Sequence, residues 1–324
     1  MLYAYTLNGT SLERTAVENG ALPADAVWVD MVTPSADDER LVETGFKISV
    51  PTREEMAEIE PSSRLYSENG ARYMTASLLY DADTDYPKLT VVTFILSNGK
   101  LVTVRYDEPR PFARVASKLS RNCPMSVNGE AILIELLDAI IDRAADVLER
   151  AGAEVDNISR RIFEGRGAKD APNLRYQISL RDVGRKADLT SKMRESLGSI
   201  GRLVLFFIND AQNAKLPKDQ YSQIRGMSRD VTSLTDYAAF LINKLQFLLD
   251  AIVGMVSLEQ NNIIKIFSVV SVALMPPTLI ASIYGMNFKH MPELDWPLGY
   301  PLAILVMIAA AIGPYLYFKW KRWL

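Results

Sequence analysis

Three rhythms of apolar and polar positions run along the chain. Up to about residue 120 the apolar positions come in short β-rich runs. Ala26–Val32 (AVWVDMV) and Arg72–Tyr80 read as strands, and Leu89–Leu96 and Leu101–Tyr106 flank Ser97-Asn98-Gly99-Lys100. Asn-Gly between two such runs predicts a hairpin. Pro51-Thr52-Arg53-Glu54-Glu55 offers a capping box, Thr52 with Glu55, opening a short helix. Beyond Gly129 the period changes. Glu130–Glu164 carries apolar residues at 133, 136/137, 140/141, 144, 147/148, 151 and 155, the spacing of one helix face. Gly165–Pro172 breaks it, Leu174–Asp210 reads as a second helix, and a third begins near Pro217 and meets no proline until Pro276. Continued to Tyr284, that helix is roughly 100 Å long. Helices so long and unequal bury their apolar faces against each other or against other copies of the chain.

The third rhythm is the absence of charge. Ile266–Tyr284 and Leu298–Phe318 are 19 and 21 residues without a charged side chain. At about 1.5 Å per residue each spans roughly 30 Å, the hydrocarbon thickness of a bilayer. Tyr284, Trp296, Tyr300, Tyr315, Tyr317 and Trp320 stand near the ends, where amphipathic rings favour the interface. A buried helical hairpin in a soluble protein is the competing reading, and two consecutive runs of this length disfavour it. Lys319, Lys321 and Arg322 follow the second run and Lys265 opens the first, whereas Gly285–Pro297 between them sets Glu293 and Asp295 against Lys289. The positive-inside rule then predicts cytoplasmic termini and an external loop. The opening MLYAYTLNGTSLERT lacks the basic and apolar regions of a signal peptide.

The expected architecture is α+β: a cytoplasmic α/β domain over 1–128, then long antiparallel helices over 129–216. A stalk helix over 217–284 continues into a first span at about 266–284. An external loop follows over 285–297, a second span over 298–318 and a basic tail over 319–324.

Composition narrows the chemistry. A single Cys123 excludes a disulfide framework, and with one histidine, His290, it excludes a Cys/His zinc cluster. Net charge −3 argues against a nucleic-acid partner, and 23% charged residues against disorder or a many-span transporter. No glycine-rich phosphate loop, nucleophile motif or metal triad can be assembled, so an enzyme is the weakest reading. Asp81-Ala82-Asp83-Thr84-Asp85 has the acid spacing of a calcium loop but lacks its central Gly and closing Glu, and is expected to be a solvated turn.

Stepping along the first span by alternate threes and fours gives Asn261, Ile264, Ser268, Ser271, Met275, Thr278, Ser282 and Gly285. Six of these eight are small or hydrogen-bonding, and in lipid such a stripe faces protein or water. It serves either dry helix packing or a water-lined pore. The second span has almost no polar interior, so a pore requires several copies of the first around an axis.

Just after this seam stand Gly285-Met286-Asn287 and then Met291-Pro292-Glu293-Leu294. Gly-Met-Asn after the first of two C-terminal spans, with MPEL in the loop and a Lys/Arg-rich tail, resembles the CorA family of divalent-cation channels. The resemblance extends over most of the chain and is weak in the N-terminal region. It implies a homopentameric funnel in which first spans line the pore and second spans form an outer ring. Gly285, Met286 and Asn287 would form the external selectivity ring, and Glu293 and Asp295 would concentrate cations at the mouth. Carboxamide oxygens can hold Mg²⁺ through its own water shell, which suits an ion that dehydrates reluctantly. Met275 and Ile264, with Phe267, are candidates for apolar gating rings, and Thr278 and Asn261 for oxygens facing the ion's waters. Pro276-Pro277 frees carbonyls near Val272 and Ala273, serving either the pore or a packed kink. The family's regulatory Mg²⁺ site between subunits carries over poorly: Glu54 and Glu55, Asp138 or Asp142, and Asp230 are the candidates, with Gly226 at the position expected to be acidic on the stalk.

The resemblance thus predicts Mg²⁺ influx, with Co²⁺ and Ni²⁺ as further candidate ions and no resident cofactor. Mg²⁺ is transported and is a candidate regulatory ion. The partners are copies of the same chain, membrane lipid and divalent cations, in the inner or plasma membrane of a bacterial cell. The alternatives are a zinc transporter of the related branch, coupled to protons, and a membrane-anchored assembly protein without transport. The intact Met286 and the lack of His or Cys ligands favour magnesium over zinc.

Overall fold

The structure, a computed structural model, describes the chain except for residues 18–20, 124–126, 165–171, 214–216, 288, 290 and 322–324, and the side chains of 61, 172–174, 211–213, 293 and 294. His290, Arg322, the Glu293 side chain and most of the break at Gly165–Pro172 therefore lie outside the described residues. The chain divides into two compact units, Met1–Leu249 and Asp250–Leu324.

The first unit is built on β1 (Leu2–Asn8), β2 (Ser11–Ala16), β3 (Ala26–Val32), α1 (Ala36–Phe46), α2 (Arg53–Ala57), α3 (Pro61–Arg64), β4 (Leu65–Glu68), β5 (Ala71–Tyr80), β6 (Lys88–Ser97) and β7 (Lys100–Arg105). There follow α4 (Arg110–Arg121), α5 (Gly129–Phe163), α6 (Pro172–Asn213) and the first part of α7 (Lys218–Tyr284). The strands form one sheet in the order β2-β1-β3-β7-β6-β5-β4. β3 and β7 pair in parallel, and the other described pairs are antiparallel.

The predicted hairpin is present. Ser97 pairs with Lys100, and Asn98 and Gly99 both take positive φ, 49° and 74°, so the two-residue turn matches the twist of β6 and β7. The capping box is present too: Thr52 Oγ1 accepts from the Glu55 amide at 3.3 Å while Glu55 Oε2 accepts from the Thr52 amide at 2.8 Å. β1, β2, β4, α1, α3 and α4 were not expected from the sequence. β2 is an edge strand with only Leu12 buried, so it carries little apolar alternation. α4 has just four buried residues among Arg, Lys and Ser.

Side-chain alternation gives the sheet two apolar faces. Trp28, Phe94, Leu96 and Leu101 join a core with Phe112 of α4 and the inner faces of α5 and α6. Val29, Met31, Ile95 and Val102 join a second core with Val42 of α1 and Met56 of α2. The expected solvated turn at 81–85 is a turn, but an anchored one. Asp83 receives Arg143 at 2.7 Å and Arg150 at 2.6 Å and also pairs with Arg110, so the loop ties α4 and α5 to the sheet.

The second unit holds the remainder of α7, a 3-10 turn at Pro292–Asp295 and α8 (Gly299–Trp320). The most apolar 18-residue windows of α7 and α8 are only 6% and 0% buried. Both helices are long and apolar enough to cross a membrane, whereas the hairpin of a soluble core would hide such windows.

Candidate functional site

The seam residues lie together on one face of α7. Asn261, Ser268, Ser271, Thr278, Ser282 and Gly285 are exposed, as are Ile264, Phe267 and Met275. Over the same length the shielded positions are Val269, at 3% exposure, and the half-buried Ala273, Pro276, Pro277 and Ile280. At about 100° per residue the seam and the shielded stripe point about 165° apart. Whatever covers Val269 within this unit therefore leaves the small and hydroxyl-bearing face open. On α8 the less exposed positions, including Ala303, Met307, Ala310 and Pro314, also fall on one stripe.

Two hydroxyls of this face are already turned. Ser268 Oγ donates to the Ile264 carbonyl at 2.8 Å and Thr278 Oγ1 to the Leu274 carbonyl at 2.7 Å. With the proton spent on the helix, each oxygen presents only lone pairs outward. Lone pairs accept from the outward-pointing hydrogens of a hydrated cation. Pro276 and Pro277 lie inside α7 and supply no amide to Val272 and Ala273, so two carbonyls are freed in the middle of the apolar stretch.

α7 ends at Tyr284, and the Gly285 amide still bonds the Ala281 carbonyl at 2.9 Å while Met286 bonds Ile283 at 3.2 Å. A Cβ on Gly285 would stand 3.1 Å from the Ala281 oxygen, tighter than ordinary contact, so the turn favours glycine. Asn287 follows, exposed and outside helical structure. Asp295 closes the 3-10 turn and is exposed, whereas nothing is described of the Glu293 side chain.

The candidate regulatory acids are only partly gathered. Asp138 and Asp142 on α5 approach Asp230 on α7: burial first, then the charges of Asp142, Glu135 and Asp230, push the Asp138 carboxyl above its ordinary value against the pull of Lys118. Asp142 also meets Arg114 at 3.8 Å. Glu54 and Glu55 sit on α2, which packs on the opposite face of the sheet, and Glu55 is engaged by its own capping box. Within one chain these acids cannot converge. Among the described residues, no group of three or more His, Cys, Asp or Glu has the arrangement of a metal site. Two charged residues inside apolar strands, Asp30 of β3 and Arg105 of β7, are not among the site residues expected from the sequence. They form a buried ion pair at 2.8 Å, and a charge within an otherwise apolar strand was the available signal.

Comparison with known proteins places the chain in a family. Residues 23–322 match the family described as CorA-like Mg2+ transporter protein. The chain is 37% identical over 325 aligned residues to the magnesium transport protein CorA of Salmonella typhimurium, covering all of both chains. Among solved structures, the complete CorA magnesium transporter of Methanocaldococcus jannaschii matches with a TM-score of 0.78 at 16% identity, over 100% of this chain and 99% of that one. The cytoplasmic domain of ZntB from Vibrio parahaemolyticus matches with a TM-score of 0.58 at 10% identity, over 79% of this chain and 97% of that one. At such identities the two structural matches speak for the fold alone. The family match spans nearly the whole chain and the identity runs from end to end: the chain belongs to the CorA-like Mg2+ transporter family.

Proposed function

We propose that this protein carries Mg²⁺ into the cell through a pore lined by α7, with copies of the chain arranged around a common axis as a pentamer. The observation that supports this most is the open seam of α7. Its small, hydroxyl-bearing face lies opposite the shielded stripe and ends at Gly285-Met286-Asn287. Asn287 would present five carboxamide oxygens to the water shell of the ion, with Gly285 and Met286 setting their position at the external mouth. Asp295 and Glu293 would raise the local cation concentration without holding the ion. Below them Thr278, Ser271 and Ser268 would offer acceptors, and Met275, Ile264 and Phe267 would close the pore by dewetting. Asn261 and Ser282 would extend the polar face at either end. By the positive-inside rule, Lys265, Lys319 and Lys321 would favour cytoplasmic termini.

The driving force is electrical. Two charges moving inward gain about 4.6 kcal/mol per 100 mV, so no catalytic step is needed. Co²⁺ and Ni²⁺ are further substrates on this reading, being hydrated dications of similar size. Closure by cytoplasmic Mg²⁺ would use Asp138, Asp142 and Asp230 of one chain facing Glu54 or Glu55 of a neighbouring copy, because the sheet separates these groups within a chain.

Mg²⁺ uptake into liposomes under an imposed inside-negative potential tests the reading. Wild type should conduct, and Asn287→Ala should lose selectivity or flux. Unchanged Mg²⁺ flux in the variant would remove the filter assignment. Zinc uptake driven by a pH step without Mg²⁺ flux would instead mark a proton-coupled zinc carrier, and no ion flux at all would leave a membrane-anchored assembly protein. Crosslinking in membranes should give species up to pentamer; a stable dimer cannot make this pore.

A further inference from the structure

The chain leaves the parallel strands β3 and β7 in opposite directions. After β3 it passes to α1, whose Val42 belongs to the core on one face. After β7 it passes to α4, whose Phe112, Val115 and Leu119 belong to the core on the other. Adjacent parallel strands whose helices depart to opposite faces open a crevice at their carboxyl ends, where α/β sheets take ligands. Here the crevice is a groove of about 360 Å³ between β1, β2, β3, β7 and α4, within the size range of small-molecule sites.

Its floor is charged and rigid. Asp30 and Arg105 are 2% and 8% exposed. Asp30 accepts from Thr103 Oγ1 at 2.7 Å and from Arg105 Nε and Nη2, and Thr103 in turn accepts from the Trp28 indole at 3.0 Å. Arg105 Nη1 donates to the Asp107 carbonyl at 2.7 Å. A guanidinium has five N–H groups. These bonds use three, leaving two without a protein acceptor among the described residues. Beside them Tyr5 stacks on Trp28 at 4.1 Å between ring centroids, and its hydroxyl has no hydrogen-bond partner among the described residues. Burial, then the charge of Asp30, pushes the Tyr5 hydroxyl up to about 12, so it remains a proton donor at neutral pH.

The mouth continues the theme. Arg14 lies over the Tyr3 ring at 3.6 Å and has no carboxylate partner among the described residues. The first turn of α4 has no acid, and Pro109 at its N-cap offers no side-chain cap. Leu12, Phe112 and Ala116 supply an apolar wall. The exposed Glu108 at the rim disfavours high negative charge.

We propose that this groove binds a small organic anion of low charge, its oxyanion received by Arg105, Tyr5 and Arg14 and its apolar body laid against Leu12, Phe112 and Ala116. Carboxylates and phosphate monoesters share this chemistry. Calorimetric titration of the full-length protein in detergent, away from any ion gradient, separates them: benzoate and phenyl phosphate are the probes and benzyl alcohol the neutral control. One of the two anions should saturate, its identity naming the oxyanion, and the alcohol should not. Tyr5→Phe keeps the ring and its stack and should weaken that anion about fivefold to tenfold, with an unchanged melting temperature. Arg14→Gln should cost about tenfold. The proposal is overturned if neither anion saturates by about 10 mM, if the alcohol binds equally well, or if both variants bind as wild type does.

Discussion

The backbone amide of Gly129 donates to the carbonyl of Gly99 at 2.7 Å, so the first residue of α5 is docked on the turn between β6 and β7. The approach leaves no room for a side chain. A Cβ at Gly129 would stand 2.5 Å from the Lys100 carbonyl carbon and 2.6 Å from the Leu101 nitrogen, both backbone atoms. Gly129→Ala should therefore destabilise the first unit by about 1–3 kcal/mol. Thermal unfolding of the variant reads this directly, and an unchanged melting temperature would contradict the contact.

A second close approach joins α5 to α7. A Cβ at Gly152 would meet the hydroxyl of Tyr237, with the ring carbon that carries it at 3.3 Å. Gly152→Ala should lower the melting temperature, and adding Tyr237→Phe should restore part of the loss by removing the clashing atom. The double-mutant cycle should show coupling of about 0.5–2 kcal/mol; simple additivity would mean that the two helices do not meet there.

The open face of α7 can be mapped with cysteines. Cys123, the single cysteine, is 1% exposed, so the wild-type background should be nearly silent. Ser271→Cys and Thr278→Cys should react with a charged, water-soluble thiol reagent at least about tenfold faster than Ala273→Cys, because an ionised reagent enters only where water does. Equal rates at all three positions would place the seam against lipid or in dry packing.

Acid should weaken the anchored turn at Asp83. Burial pushes its carboxyl up, but the hydrogen bonds and charges of Arg150 and Arg143 more than offset this and hold it below the ordinary value. A lowered native value means that the stabilisation is complete above the unfolded value of about 3.9 and is lost as pH falls through the native one. Asp83→Asn should lower the melting temperature at neutral pH, and the gap to wild type should shrink as pH drops below about 4.

Asp138 has the opposite sign. Its carboxyl is pushed up by burial and by neighbouring acids, so ionising it costs the native state stability as pH rises through the unfolded value. Asp138→Asn should raise the melting temperature at neutral pH in metal-free buffer and blunt the stabilisation that added Mg²⁺ gives wild type. Mg²⁺ stabilisation of equal size in both proteins would dissociate Asp138 from any regulatory ion.

Local rhythm was enough to find the elements whose own residues dictate them. The Asn98-Gly99 turn needs positive φ at both positions, the Thr52–Glu55 box closes within three residues, and the uncharged lengths of α7 and α8 match the thickness of a bilayer. The seam from Asn261 to Gly285 was legible for the same reason, since helical phase is a property of one segment. What depends on distant strands was not legible. β3 and β7 become neighbours across some seventy residues of chain, and only that pairing sends α1 and α4 to opposite faces and brings Asp30 to Arg105. The sheet likewise keeps Glu54 and Glu55 apart from Asp138, Asp142 and Asp230. Periodicity reports which face of an element is apolar; which element covers that face is decided by packing energies summed over the whole fold.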